Sequence, residues 1–293
     1  MTPRSLVLPA LAVLLLPALG CNKVRARVEL KEGNNLYQGE QYKPALDKFQ
    51  KGLALDPSAT FAWRSVGLTA LALYRPGDEN PTNKEYGTTA ISAFEKYLVD
   101  YPDDEKVKDY LLSSYVNEKQ FDRALEFVTQ LGQKNPTDPK INNYKVNILM
   151  QAGRLQDAFE VAEKMQGEGR LELLDNLART AWDKSYRDAK YSLQALANAT
   201  PEERDRLIAE KIQIVDMGLS AEKIVVDTQS ENSQAMAYYN LLLREKAKLE
   251  LDEAKKLALL EEAEVYRQKA IALRDKEKAK AAKEAADKSA TKT

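Results

Sequence analysis

The sequence predicts an all-α protein built as a row of stacked helix pairs, and three observations predict it. Turn-forming residues are scarce, with 12 glycines and 11 prolines in 293 residues, too few for an all-β chain with its frequent turns. Charged residues make up 30% and hydrophobic residues 44%, which suits surface helices with one apolar face and one solvated face. Small residues and prolines also return along the chain at one fixed spacing.

Composition narrows the chemistry before any motif does. The formal net charge is −1, so no overall field draws the chain to DNA or RNA, and no nucleic-acid partner is expected. Histidine is absent, which removes the usual general base near neutral pH, the imidazole metal ligand and every Ser-His or Cys-His pair. Cysteine occurs once, at Cys21, so the chain cannot build an internal disulfide, a Cys-rich zinc site or an iron–sulfur cluster. No cofactor and no metal are expected.

The N-terminus has its own logic. Met1 to Arg4 carry positive charge, Leu6 to Leu16 are almost wholly apolar, and Pro17-Ala18-Leu19-Gly20 precede Cys21. This is the order of a secretory signal, and the apolar run is short against the roughly 20 residues of a transmembrane helix. The segment resembles a bacterial lipoprotein signal, in which a small residue precedes a cysteine that is lipidated and becomes the new N-terminus. Ala18 and Leu19 stand in reverse of that pattern's usual order, and Ala18 with Gly20 also satisfies ordinary secretory cleavage. The resemblance implies a signal peptide over 1–20, a lipidated Cys21 that holds the chain to a membrane, and a short tether over 21–27. That tether spans roughly 24 Å when fully extended. Asn22, in place of Asp, favours the periplasmic face of the outer membrane over the inner membrane.

Helical patterning starts near Val28. Gly33, Ala45, Phe49 and Pro57 stand 12, 4 and 8 residues apart, with Gly52 between. Gly67 follows Gly33 by 34 residues, and Ala90, Phe94 and Pro102 repeat the 4 and 8 spacing after an eleven-residue insertion. The insertion falls within Tyr74 to Tyr86, whose Pro, Gly, Asp and Asn residues are loop chemistry. Leu111, Tyr115, Ala124 and Pro136, then Leu149 and Ala158, keep the register. The chain thus resembles the tetratricopeptide repeat (TPR) family, whose helix–turn–helix unit is 34 residues long. The resemblance is strong over 26–170 and weaker beyond. It implies a right-handed superhelical solenoid of about six to seven helix pairs over 28–275. The expected units lie near 26–59, 60–104, 105–138, 139–169, 170–201, 202–235 and 236–275. Within the sixth, residues 202–217 and 218–229 are expected as two helices. Residues 276–293 form a Lys/Ala-rich tail expected to be disordered.

The spacing has a packing reason. Gly33 and Gly67 fall where the first helix of a pair (helix A) approaches the second (helix B), and Ala45, Ala90, Ala124 and Ala158 fall where helix B meets its neighbours. Phe49 and Phe94 fill space between units, and Pro57, Pro102 and Pro136 end helix B. A single pair cannot bury its apolar face, so neighbours must stack.

By the family resemblance, A helices line a concave face that binds peptides or proteins. The residues placed there are Asn34, Tyr37, Arg64, Lys106, Asp109, Asn143 and Asn147, bordered by Tyr110 and Tyr144. Amides can bond a peptide backbone, while Tyr and Arg anchor side chains. The carboxylate clamp of some eukaryotic co-chaperones is not reproduced: Asn34 and Lys106 agree with it, but Leu30, Ser65 and Tyr110 occupy its other places. The expected role is a membrane-anchored, non-enzymatic scaffold whose partners are other envelope proteins, in envelope assembly or export. One alternative is a spacer that binds nothing. Another is a hydrolase, because Ser220-Ala-Glu-Lys223 matches the Ser-x-x-Lys motif of penicillin-binding proteins and Tyr238-Tyr-Asn240 their second motif. Ser289-Ala-Thr-Lys292 matches the first motif equally well, and no Lys-Thr-Gly follows either copy.

Overall fold

The computed structural model describes residues 16–290 apart from 137, 139 and 168. Among them lie thirteen α-helices and one 3-10 turn, with no strand. The chain forms two compact units, Met1–Phe127 and Val128–Thr293, and the division falls inside α6 (Phe121–Lys134).

In the first unit α1 (Leu16–Gln38) pairs with α2 (Tyr42–Leu55), and α3 (Ala62–Leu73) pairs with α4 (Pro81–Asp100). The third pair begins with α5 (Glu105–Asn117). The small residues sit where the spacing put them. A Cβ added to Gly33 would lie 2.9 Å from Cδ1 of Phe49, and one added to Gly67 would lie 2.6 Å from Cδ1 of Phe94. Phe49 and Phe94 are almost completely buried, as are Ala45, Ala90 and Ala124. Each ring contributes on the order of 2 kcal/mol through burial, and the missing Cβ is what lets it reach the facing helix. Phe94 also stacks on Tyr110 of the next helix A, with centroids 5.8 Å apart.

One turn recurs within the pairs. Glu40 and Lys119 both have φ of 57°, and Gly153 of the second unit has φ of 75°. In each case the next amide bonds six-to-one: Gln41 N–H to Leu36 C=O, Gln120 N–H to Tyr115 C=O, and Arg154 N–H to Leu149 C=O. This Schellman turn satisfies carbonyls left over at the end of helix A. Lys119 and Gly153 are 34 residues apart, while Glu40 and Lys119 are 79 apart, which is two repeats plus the eleven-residue insertion.

The second pair replaces the turn with the insertion, and only part of that insertion is loop. Asn80 accepts a hydrogen bond from Thr82 N–H at 3.0 Å, Pro81 takes the first helical position, and residues from Pro81 onward extend α4 at its start. Buried Asn83 knots the loop, accepting from Arg75 N–H and donating to the carbonyls of Arg75 and Asp78. Tyr74 OH donates to Asn117 C=O at 3.2 Å, which ties the insertion to the end of α5.

In the second unit α7 (Lys140–Gln151) pairs with α8 (Leu155–Lys164), α9 (Arg170–Arg187) with α11 (Pro201–Thr228), and α12 (Ser233–Leu249) with α13 (Glu253–Ala290). A 3-10 turn (Ala189–Tyr191) and the short α10 (Leu193–Asn198) bridge α9 and α11. Ala158 and Val146 are fully buried. A Lys211–Glu245 ion pair at 3.2 Å, almost closed to solvent, joins α11 to α12.

Four expectations are corrected. The chain is already helical from Leu16, and Ala26 is buried, so residues 22–27 belong to α1 and are not a free tether. The fifth and sixth expected units, 170–201 and 202–235, merge into one pair. Pro201 starts α11 behind the Thr200 cap and does not end a helix. The helix then runs unbroken past Gly218, whose absent Cβ would lie 2.7 Å from Cβ of Ala181. Gly218 is therefore a close-approach residue and not a breaker, and the described residues form six pairs. Finally, α13 stays helical to Ala290 where a disordered tail was expected. Ala, Lys and Glu are strong helix formers, and Ser233 Oγ meets Glu277 Oε2 at 3.2 Å, fixing the helix to α12 up to that point.

Candidate functional site

The candidate site lies on the A helices of the first unit, α1, α3 and α5. Tyr37 stands near the end of α1, Arg64 in the first turn of α3, and Tyr110 in the second turn of α5. All three are half-buried. Tyr37 meets Tyr42 edge-on, with centroids 5.4 Å apart. Burial raises the Tyr37 hydroxyl above its usual pKa; Tyr42 and Tyr110 add to the rise and Arg64 opposes it. The phenol therefore stays protonated at neutral pH and remains a donor. The fields of Arg64 and Tyr110, from the next two A helices, reach the Tyr37 hydroxyl.

Arg64 is held by a residue the repeat pattern did not single out. Its Nε lies 3.6 Å from Oδ2 of Asp104, whose Oδ1 accepts from Val107 N–H at 3.2 Å and caps α5. Tyr97 OH donates to the same Oδ2 at 3.1 Å. Asp104 precedes helix A, so a search of helix positions passes over it; the local signal was an Asp at an N-cap. Capping, pairing with Arg64 and accepting from Tyr97 together fix one guanidinium at the edge of an aromatic face. That guanidinium keeps further N–H donors for a carbonyl or carboxylate. Tyr97 and Tyr101 stack at 4.6 Å beside it, and Phe61 is 57% exposed. Such rings offer contact area at low entropic cost.

The other expected residues lie as follows. Asn34 is exposed one turn before Tyr37, and Lys106 and Asp109 are exposed on α5. Asn143 and Asn147 lie on α7 in the second unit. Asn143 is half-buried, its Oδ1 is shut off from solvent without a hydrogen-bond partner, and its amide adjoins Gly169 at the start of α9. Residues 1–15, which hold most of the expected signal peptide, lie outside the described residues, and so does the side chain of Cys21.

The geometry at Ser220 and Lys223 speaks against the hydrolase alternative. Ser220 Oγ donates to Asp216 C=O of its own helix at 2.9 Å. Lys223 Nζ is held by Asp227 at 2.7 Å, which raises its pKa. An ammonium stabilised in its charged form does not take a proton from a serine. Between them, Glu222 points inward and is fully buried against Asp175, which Arg179 pairs. Burial first, then the charge and hydrogen bond of Asp175, push the Glu222 carboxyl up to about 9, with Arg179 opposing.

Helix pairs locked by small residues and recurrent Schellman turns make the chain an all-α helical-repeat protein. No known family profile matches the sequence, and no curated protein matches it. Among solved structures the chain is similar to YrrB, a TPR protein with an unusual peptide-binding site, at 21% identity over 71% of this chain and 97% of that one, with a TM-score of 0.39. It is similar to the TPR repeats protein BF2334 from Bacteroides fragilis at 13% identity, over 74% and 97% of the two chains, with a TM-score of 0.42. It is also similar to PilW, a type IV pilus biogenesis factor, at 18% identity over 63% and 91%, with a TM-score of 0.27. Identity and TM-score are low in all three, so the assignment rests on the contacts within this chain.

Proposed function

We propose that this protein is a membrane-anchored scaffold that holds an extended segment of a partner protein against the A-helix face of its first unit. The observation that carries the reading is the Arg64 guanidinium held 3.6 Å from Asp104, whose carboxylate also accepts from Tyr97, on a face that carries the half-buried Tyr37 and Tyr110 and the exposed Phe61. A segment lying across the A helices would meet phenol donors, aromatic faces and one oriented cation in turn. The chain acts by binding and not by catalysis. The order of residues 1–21 supports a lipidated Cys21 and a place at the periplasmic side of the outer membrane, in envelope assembly or export. No described helix is long and apolar enough to cross a membrane.

Two measurements test the reading. A photo-crosslinking residue placed at Tyr37 should give discrete adducts in intact cells, weakened by Arg64→Ala, while one at Gln50 on α2 should not. Equal labelling from both positions would contradict the groove. Feeding cells an alkynyl palmitate should label the wild type and not Cys21→Ser, which should leave the membrane fraction. A labelled, membrane-bound Cys21→Ser variant would contradict the anchor.

A further inference from the structure

The two sides of α13 are unlike. Toward α12, Ala263 and Ala270 are buried, and Tyr266 meets Tyr239 edge-on, with centroids 4.6 Å apart. On the other side Leu257, Val265 and Ile271 are 57%, 52% and 42% exposed. At 3.6 residues per turn these three lie within about 120° of the helix circumference, turned away from the two buried alanines. Exposed Ala258 and Ala272 stand seven residues to either side of Val265, so the open side carries a heptad row of apolar residues. Charge is ordered about the same residue. Glu261 and Lys269 stand four residues to either side of Val265, and Lys255 and Asp275 stand ten. All four are exposed. The charges between and beside them are engaged within the chain: Glu262 accepts from Tyr239, Glu264 holds Arg244 and Arg267, and Lys256 pairs with Glu253 at 3.2 Å. At equal distances from Val265, alanine thus answers alanine and each outward charge answers its opposite.

We propose that the open side of α13 is a self-association surface, on which a second copy of this chain lays its own α13 antiparallel about a two-fold axis at Val265. Such an axis carries each residue onto the position equally far along the helix on the other side, so every contact is made twice. Val265 then meets the second copy's Val265, Ala258 its Ala272, and Glu261 its Lys269. The alanines let the helices come close, and Leu257 and Ile271 close over the seam. A parallel copy would set Glu261 against Glu261 and Lys269 against Lys269, which is repulsive. An unrelated partner helix would give no reason for opposite charges to be mirrored about one residue, so a second copy fits this row better. The surface lies wholly on α13 and is independent of the Tyr37 face.

The test is sedimentation equilibrium of the full-length protein in density-matched detergent. A monomer–dimer equilibrium is expected, with a dissociation constant below about 100 µM. Val265→Lys places two ammonium groups face to face at the axis and should weaken the dimer about tenfold or more, with an unchanged far-ultraviolet spectrum. Glu261→Lys and Lys269→Glu should each weaken it, and the two together should restore it. These residues are eight apart on one helix and too far apart to touch within a chain, so the rescue reports a contact between chains. Arg64→Ala should change nothing, which separates this surface from the first unit's face. No dimer at about 100 µM, indifference to Val265→Lys, or a double swap no better than its single variants would each overturn the proposal. The wild-type measurement needs no variant, so a misfolded mutant cannot mask the answer.

Discussion

Glu222 shows how far one residue can be moved by where it is packed. It sits in the middle of α11, closed to water, and faces an aspartate; its carboxyl rises to about 9 from an ordinary value near 4.5. The folded chain therefore keeps a proton that the unfolded chain releases. The stabilisation is full below pH 4.5 and is lost as pH rises toward 9. By pH 7 the loss is on the order of 3 kcal/mol. Glu222→Gln keeps the size and polarity of the side chain and does not titrate. Urea titrations from pH 4.5 to 7 should show the variant gaining on the wild type by roughly that amount, whereas parallel pH profiles would contradict the buried acid pair. Lys119 makes a backbone point. It is exposed and adopts a left-handed φ of 57° where the following repeat has Gly153. An L-residue there costs about 1 kcal/mol or more relative to glycine. Lys119→Gly should raise the urea midpoint by about 1 kcal/mol of stability, and a lowered midpoint would refute the equivalence of the two turns. Neither feature was legible in the sequence. Glu222 lay inside a motif that invited a catalytic reading, and nothing in a lysine announces φ above zero.

At the scale of the helix pair, the sequence said most where a side chain is missing. Gly33 and Gly67 were placed against a facing ring by spacing alone, and Phe49 and Phe94 are the rings they meet. In an exposed helix Gly→Ala stabilises by about 1 kcal/mol. At Gly67 the new methyl would press on a ring with no free space, so Gly67→Ala should instead destabilise by about 1–3 kcal/mol in thermal or urea unfolding. A stabilised variant would mean that the close approach of α3 and α4 does not exist. The pattern failed where composition and packing disagree. Gly218 looked like the gap between two helices and is a contact inside one. Pro201 closes an expected unit, 170–201, and is instead a start, because Thr200 caps the helix it opens. The insertion read as loop through Tyr86, yet Asn80 and Pro81 start a helix within it. Asp104 reads as a helix start from the sequence, but its hold on Arg64 does not, because the two residues meet only when the helices pack.

Across the whole molecule, the fold class followed from few turn residues, no strand pattern and a sustained repeat, and each of these is a sum over many positions that local errors do not disturb. The repeat weakens after residue 170 because α9, α11, α12 and α13 run longer than the helices of the regular unit, which changes the spacing without changing the A-to-B packing. The expected tail turned out helical because Ala, Lys and Glu favour the helix and Glu277 holds its first turn to α12. The candidate site was half legible: Tyr37 and Arg64 came from helix positions, but the pairing of Arg64 with Asp104 and the stacking of Tyr110 on Phe94 needed the packing itself. That packing is the claim on which the binding reading rests, and it can be measured without a partner. In protein labelled selectively at glycine and phenylalanine, nuclear Overhauser contacts should connect the α-protons of Gly33 to the ring of Phe49 and those of Gly67 to the ring of Phe94. Their absence, with both rings exchanging freely against solvent, would contradict the account.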